Sequence, residues 1–321
     1  MKRALLATLA ILCARIFAAE PRHEIVRDWP TLPEGYALGQ CAGVGVDSHD
    51  DVFVFHRSGR VWSSPFPEDP IAAPTVSVID GRTGKLLASW GAGEFIAPHG
   101  LTLDREDHVW LTDVGRQQVF KYTHDGRLVL TLGERGRPGA DHAHFNLPTD
   151  VAVLPDGSFY VSDGYKNTRV VKFGAAGNYQ FEWGGKGAAH GEFNLPHGIA
   201  LDATGRVYVC DRSNARLQVF DPQGKFLAEW KGPDIGRPFG VSVAATGHVF
   251  LIDGGDQPTH PPDRGKVVEL DADGRVVDTF GSFGPEPGQF QLGHDIAVAR
   301  DGSIYVAETK GKRVQKFRPA P

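Results

Sequence analysis

Methionine is nearly missing from this 321-residue chain, which has one, and cysteine is scarce, with three. Such a count excludes a disulfide-built scaffold, where cysteine is far denser. Beyond the first twenty residues no apolar run reaches membrane-spanning length, and no stretch holds a helical period. Basic residues are also short, 34 Lys and Arg against 39 Asp and Glu, for a net charge of −5. That balance, with no basic cluster, argues against a nucleic-acid surface.

In their place stand 40 glycines and 22 prolines, the residues of tight turns. They punctuate a repeat. Pro98-His99-Gly100-Leu101-Thr102-Leu103, Pro148-Thr149-Asp150-Val151-Ala152-Val153 and Pro196-His197-Gly198-Ile199-Ala200-Leu201 open one kind of short alternating strand. Ala42-Gly43-Val44, Phe239-Gly240-Val241 and His294-Asp295-Ile296 are looser copies, so six units start at 42, 99, 149, 197, 239 and 294. In each unit a turn leads to a second strand such as Phe159–Asp163 and a third such as Arg169–Phe173 or Arg216–Phe220. A fourth ends in an aromatic and a glycine, as in Trp90-Gly91, Trp183-Gly184 and Phe280-Gly281. Four period-two strands repeated at this spacing predict an all-β, six-bladed β-propeller. The sixth unit ends after its third strand near Phe317, whereas Glu24–Trp29 reads as a fourth strand with no unit of its own. Pairing the two closes the ring and hides open sheet edges, giving a single domain over residues 23–317.

Residues 1–19 are of another kind: Lys2-Arg3, an apolar run from Ala4 to Cys13, then Ala18-Ala19. They read as an export signal, too short to span a bilayer, with a short anchor as the competing reading. Removal would take away Lys2, Arg3 and Arg15 and move the net charge from −5 to −8. The expected product is an exported, monomeric protein, periplasmic or secreted, without a membrane span. Cys41 and Cys210 would remain, free to pair or to stay buried.

His99, His197 and His294 occupy the same position in every second unit, where the intervening units place Ala42, Thr149 and Phe239. Histidine is therefore not a requirement of the repeat. In a closed ring these three side chains approach the axis from about 120° apart, and three imidazoles leave one coordination position open, as in catalytic zinc sites. Fifteen residues further on, at the same rim, stand Arg57, Arg212 and Thr309, with Tyr165 one step past Gly164. Two guanidiniums beside a cation site suit an anionic ligand such as a carboxylate, and cations near a tyrosine favour its phenolate as a base. The Pro-rich connections Ser63 to Pro74 and Gly255 to Gly265 lie on this face and either wall the mouth or decorate the surface.

The repeat is of the NHL type, and Phe55-His56-Arg57 with Val61-Trp62, Pro98-His99-Gly100, Asp163-Gly164-Tyr165, Pro196-His197-Gly198, Asp211-Arg212 and His294-Asp295 resemble the peptidyl-α-hydroxyglycine α-amidating lyase family. The resemblance implies zinc on His99, His197 and His294, Tyr165 as base, and Arg57 and Arg212 as substrate and charge-stabilising groups. It also implies a structural calcium on the Asp295 carboxylate and the Val44 and Leu101 carbonyls, oxygen ligands of the kind calcium takes. The implied reaction cleaves the N–C bond of a peptide ending in α-hydroxyglycine, releasing the peptide amide and glyoxylate. Lys166 follows the base where vertebrate members carry a cysteine, and Leu292-Gly293 stand where Met-Pro is common. A non-enzymatic NHL binding platform and a calcium-dependent lactonase-like propeller are the other two readings.

Overall fold

The computed structural model describes residues 22–255 and 264–320, so the expected export signal and most of the second Pro-rich connection lie outside the described residues. Six four-stranded antiparallel sheets form the ring. Their innermost strands are Cys41–Val46, Pro98–Leu103, Pro148–Val153, Pro196–Leu201, Pro238–Val243 and Gly293–Val298. All six begin at, or one residue before, the position read from the repeat. Neighbouring sheets bury their facing side chains in wedges. Phe53, Phe55 and Val78 of blade one meet Leu111, Phe120 and Tyr122 of blade two, with Phe95 edge-on to Phe55 at 4.9 Å.

The closure is real but shorter than expected. Its strand is His23–Ile25, which pairs with Arg313–Pro319 through His23 opposite Pro319 and Ile25 opposite Phe317. Trp29 is not part of it. Its indole is buried between the last and first blades, 5.0 Å from the Tyr305 ring, and its Nε1–H donates to the Asp80 carbonyl. A bulky aromatic gained more from this seam than from an outer strand, where half its surface stays wet.

The second strands of blades two to five end in aspartate and that of blade six in glutamate, and these carboxylates fix the loops that lead into the innermost strands. Asp113 accepts from the Ile96 and Ala97 N–H groups, Asp211 from Asn194 and Leu195, and Glu308 from Gln291. The third-strand arginines complete the arrangement. Arg216, 3% exposed, bridges Asp211 at 2.7 Å and Glu229 at 2.6 Å and donates to the carbonyls of Ala188, Ala189 and Glu192. Its replacement by alanine leaves Asp211 buried without its partner and should cost about 3–5 kcal/mol in urea unfolding. A loss below about 1 kcal/mol would show that the network holds nothing.

Candidate active site

Each innermost strand carries a β-bulge at its second residue. Gly293 pairs with Glu308 and Asp295 with Ala307, leaving His294 with no partner across the sheet, and the register shifts in the same place in the other five blades. A bulge re-aims the side chain it carries, and this one turns position two toward the axis. Asp150 and Asp295 come next in blades three and six, whereas the glycine that follows in blades two and four is dictated by crowding, since a Cβ on Gly100 would lie 2.5 Å from Thr149 O and one on Gly198 2.7 Å from Phe239 O. Side chains beyond hydrogen do not fit.

His99, His197 and His294 are thereby brought together, with ring centres 4.7–4.8 Å apart in all three pairs. Each Nδ1 lies 2.7 Å from a main-chain carbonyl of the blade ahead: Thr149 O, Phe239 O and Ala42 O respectively. A carbonyl only accepts, so each Nδ1 carries the hydrogen and donates it. Every Nε2 is then a lone pair. Burial first, and then neighbouring positive groups, hold all three imidazoles well below the usual histidine range, His99 at about 3. Three neutral imidazoles whose ligand atoms all fall within 4.8 Å of one another are a donor set for a borderline cation such as zinc. The main-chain acceptors behind them set ring orientation, as expected of ligands with a supporting shell.

Tyr165 stands over this cluster from the loop after Phe159–Asp163. Its hydroxyl oxygen is 3.0 Å from His99 Nε2, 3.3 Å from His197 Nε2 and 3.2 Å from Arg212 Nη1, which donates to it. Arg212 does not pair with its chain neighbour Asp211, which is taken by Arg216 and Asn214; it lies 4.0 Å above the Phe239 ring. Thus the phenylalanine at the register of the histidines serves as a platform for one of the two rim arginines.

Arg57 is 2% exposed, and burial pulls it down to about 10, still protonated at neutral pH. Its Nε–H donates to Pro98 O and its Nη1 to Gln40 Oε1, while Nη2 is buried with no partner among the described residues. Thr309, 5% exposed, has its hydroxyl in the same condition. Both residues line a cavity of about 450 Å³ that also touches Tyr165, Arg212 and His294. Blades six and one are neighbours, so the two unsatisfied groups face one space. A buried donor without an acceptor is costly, and each is worth more when a ligand meets it.

The mouth is walled by Trp62, one residue before the first Pro-rich connection, and Phe66 of that connection packs behind it. Trp62 packs at 5.4 Å from the Tyr165 ring and 4.9 Å from Phe66, with Arg57 4.8 Å above its face. Cys41 and Cys210 are both buried and unpaired.

Below the histidines the channel widens to about 250 Å³, lined by Val44, Leu101 and Asp295 and by a second carboxylate, Asp150. Asp295 accepts from Val44 N–H and Ile296 N–H, each at 2.9 Å; Asp150 accepts from Val151 and Ile199. Burial pushes both carboxyls up, Asp295 to about 7, and the Asp295 charge pushes Asp150 further in the same direction. Two such groups suit a hard cation bound through oxygen. Asp150 was open to sequence reasoning, because Thr149-Asp150 repeats the register of His294-Asp295 three blades away.

Comparison with known proteins gives the same direction. The NHL repeat family matches residues 145–173 and 193–220, in blades three and four. Peptidyl-alpha-hydroxyglycine alpha-amidating lyase 2 of Drosophila melanogaster is 34% identical over 312 residues, which cover 91% of this chain and 73% of the fly protein. The chain belongs to the peptidyl-α-hydroxyglycine α-amidating lyase family. It is also 35% identical over 91% of its length to peptidyl-glycine alpha-amidating monooxygenase B of Xenopus laevis, but spans only 35% of that relative. Virginiamycin B lyase from Staphylococcus aureus shares the fold, with a TM-score of 0.58, 14% identity and coverage of 93% of this chain and 100% of that one. Among the described residues no helix is long and apolar enough to cross a membrane.

Proposed function

We propose that this member of the lyase family cleaves the N–C bond of a peptide ending in α-hydroxyglycine, yielding the peptide amide and glyoxylate. The observation that carries the reading is the Tyr165 oxygen, set 3.0 and 3.3 Å from two of three converging imidazole nitrogens. His99, His197 and His294 would hold a zinc ion, which when bound would supply Lewis acidity. The chain's own groups do the rest. Tyr165 accepts the proton of the substrate hydroxyl at its phenolic oxygen, which the Arg212 Nη1 donor holds in position at 3.2 Å. The freed electron pair forms the aldehyde C=O of glyoxylate as the N–C bond breaks, and the nitrogen takes the proton back from Tyr165 to become the amide. Arg57 Nη2 and the Thr309 hydroxyl hold the carboxylate that leaves with glyoxylate, and Trp62 bounds the site beside Tyr165.

The same reading places a structural calcium on Asp295 with the Val44 and Leu101 carbonyls, supported by the paired burial of Asp295 and Asp150. Export of the chain is supported by the sequence of residues 1–19.

The deciding measurement is glyoxylate release from α-hydroxyhippurate together with metal content. Zinc in the protein without glyoxylate would sink the lyase and spare the site. Thr309→Val keeps the volume and removes the hydroxyl, so KM for α-hydroxyhippurate should rise about tenfold with kcat little changed, a hydrogen bond to a charged group being worth about 1.5 kcal/mol. Thr309→Ser should restore it. An unchanged KM in Thr309→Val removes Thr309 from the substrate site.

A further inference from the structure

A second group of metal-ligating side chains lies far out on the ring and plays no part in the chemistry above. His23 comes from the closing strand of blade six; Glu269 and Asp278 face each other as partners on the third and fourth strands of blade five. One ligand atom from each falls within 4.8 Å of the other two, and His23 Nδ1 is 3.6 Å from Asp278 Oδ2. A tetrahedral ion with bonds of about 2.1 Å places its ligands about 3.4 Å apart, so small adjustments suffice.

All three atoms, His23 Nδ1, Glu269 Oε2 and Asp278 Oδ2, are buried and make no hydrogen bond among the described residues. Glu269 as a whole is only 6% exposed. Two carboxylate oxygens are acceptors, and the single hydrogen that His23 Nδ1 could carry serves one of them at most. A proton therefore leaves an orphan. A divalent cation leaves none, and its charge offsets both carboxylates.

The surroundings hold the three groups in place. His248 Nδ1 lies 2.5 Å from Glu269 Oε1, which fixes that carboxylate and leaves Oε2 turned to the others. The His23 ring is pinned 5.0 Å from Phe280 and edge-on to Phe250 at 6.0 Å. Ligating carboxylates are commonly fixed by such outside hydrogen bonds.

We infer that His23, Glu269 and Asp278 form a second binding site for a divalent transition ion, which fastens the N-terminal closing strand to the neighbouring blade. One imidazole with two carboxylates suits zinc or manganese better than a soft ion. Because the ligands come from two blades and the chain terminus, the ion binds the closed ring and not the opened one, and so stabilises closure.

The test uses zinc as probe and a His197→Ala background, which removes the axial site. After chelation and dialysis that chain should bind one zinc in a calorimetric titration, and its unfolding midpoint should rise by a few degrees. Adding Asp278→Asn should abolish both effects, with Glu269→Gln as the second variant if the first does not fold. With His197 intact, Asp278→Asn should lower bound zinc from two to one while glyoxylate release stays unchanged, an arm that survives even if His197→Ala fails to fold. No zinc bound to the His197→Ala chain, or one still bound after Asp278→Asn is added, overturns the proposal.

Discussion

Tyr165→Phe should lower glyoxylate release from α-hydroxyhippurate by about 10²–10⁴-fold, the usual share of a general base, while bound zinc remains as in the unaltered protein. The change deletes one oxygen, the one that stands 3.0 and 3.3 Å from His99 and His197 and takes a donor from Arg212. The phenyl ring keeps its packing against Trp62, so the wall over the mouth stays in place. Loss of metal would mean that the tyrosine is needed to form the site; turnover within threefold of normal would take it out of the reaction. Only loss of rate with zinc retained agrees with a proton acceptor.

The second large effect is expected at His197. His197→Ala should release the axial zinc and bring glyoxylate formation to background, whereas removal of one member from a three-ligand set leaves two imidazoles that hold zinc far more weakly. Metal analysis alongside the rate separates the two losses. A chain that keeps the axial zinc and its activity would show that the converging lone pairs are not the metal site.

Much of this architecture could be read from the residues. Pro-His-Gly at two unit starts and Gly-His-Asp at a third placed three histidines at one register, and radial repetition then put them at one axis. The glycine that follows was legible as a residue type but not as a cause, because the cause is the backbone of the next blade, 2.5 Å from a missing Cβ. The bulge that turns each histidine inward left no mark in the alternation, since a bulge adds a residue without changing polarity. Thr309 was placed on the rim by counting, yet nothing in Glu308-Thr309-Lys310 announces a hydroxyl without a partner; that is a property of the packed cavity. Nor does the sequence show that Asp211 leaves its neighbour Arg212 to the rim, because the competing Arg216 comes from the next strand. Trp29 failed for the opposite reason: a strand pattern continued through it, but the seam between the last and first blades had room for an indole.

The carbonyls behind the histidines join blade two to three, four to five, and six back to one. Every second junction of the ring, including the seam between the last blade and the first, thus contributes to how a ligand is aimed. An ion held at the axis would then be a gauge of the whole circumference: slack at any of those joints would misdirect an imidazole, and by linkage the ion's binding energy would resist that slack. A barrel hoop behaves in this way, tight only when every stave is seated.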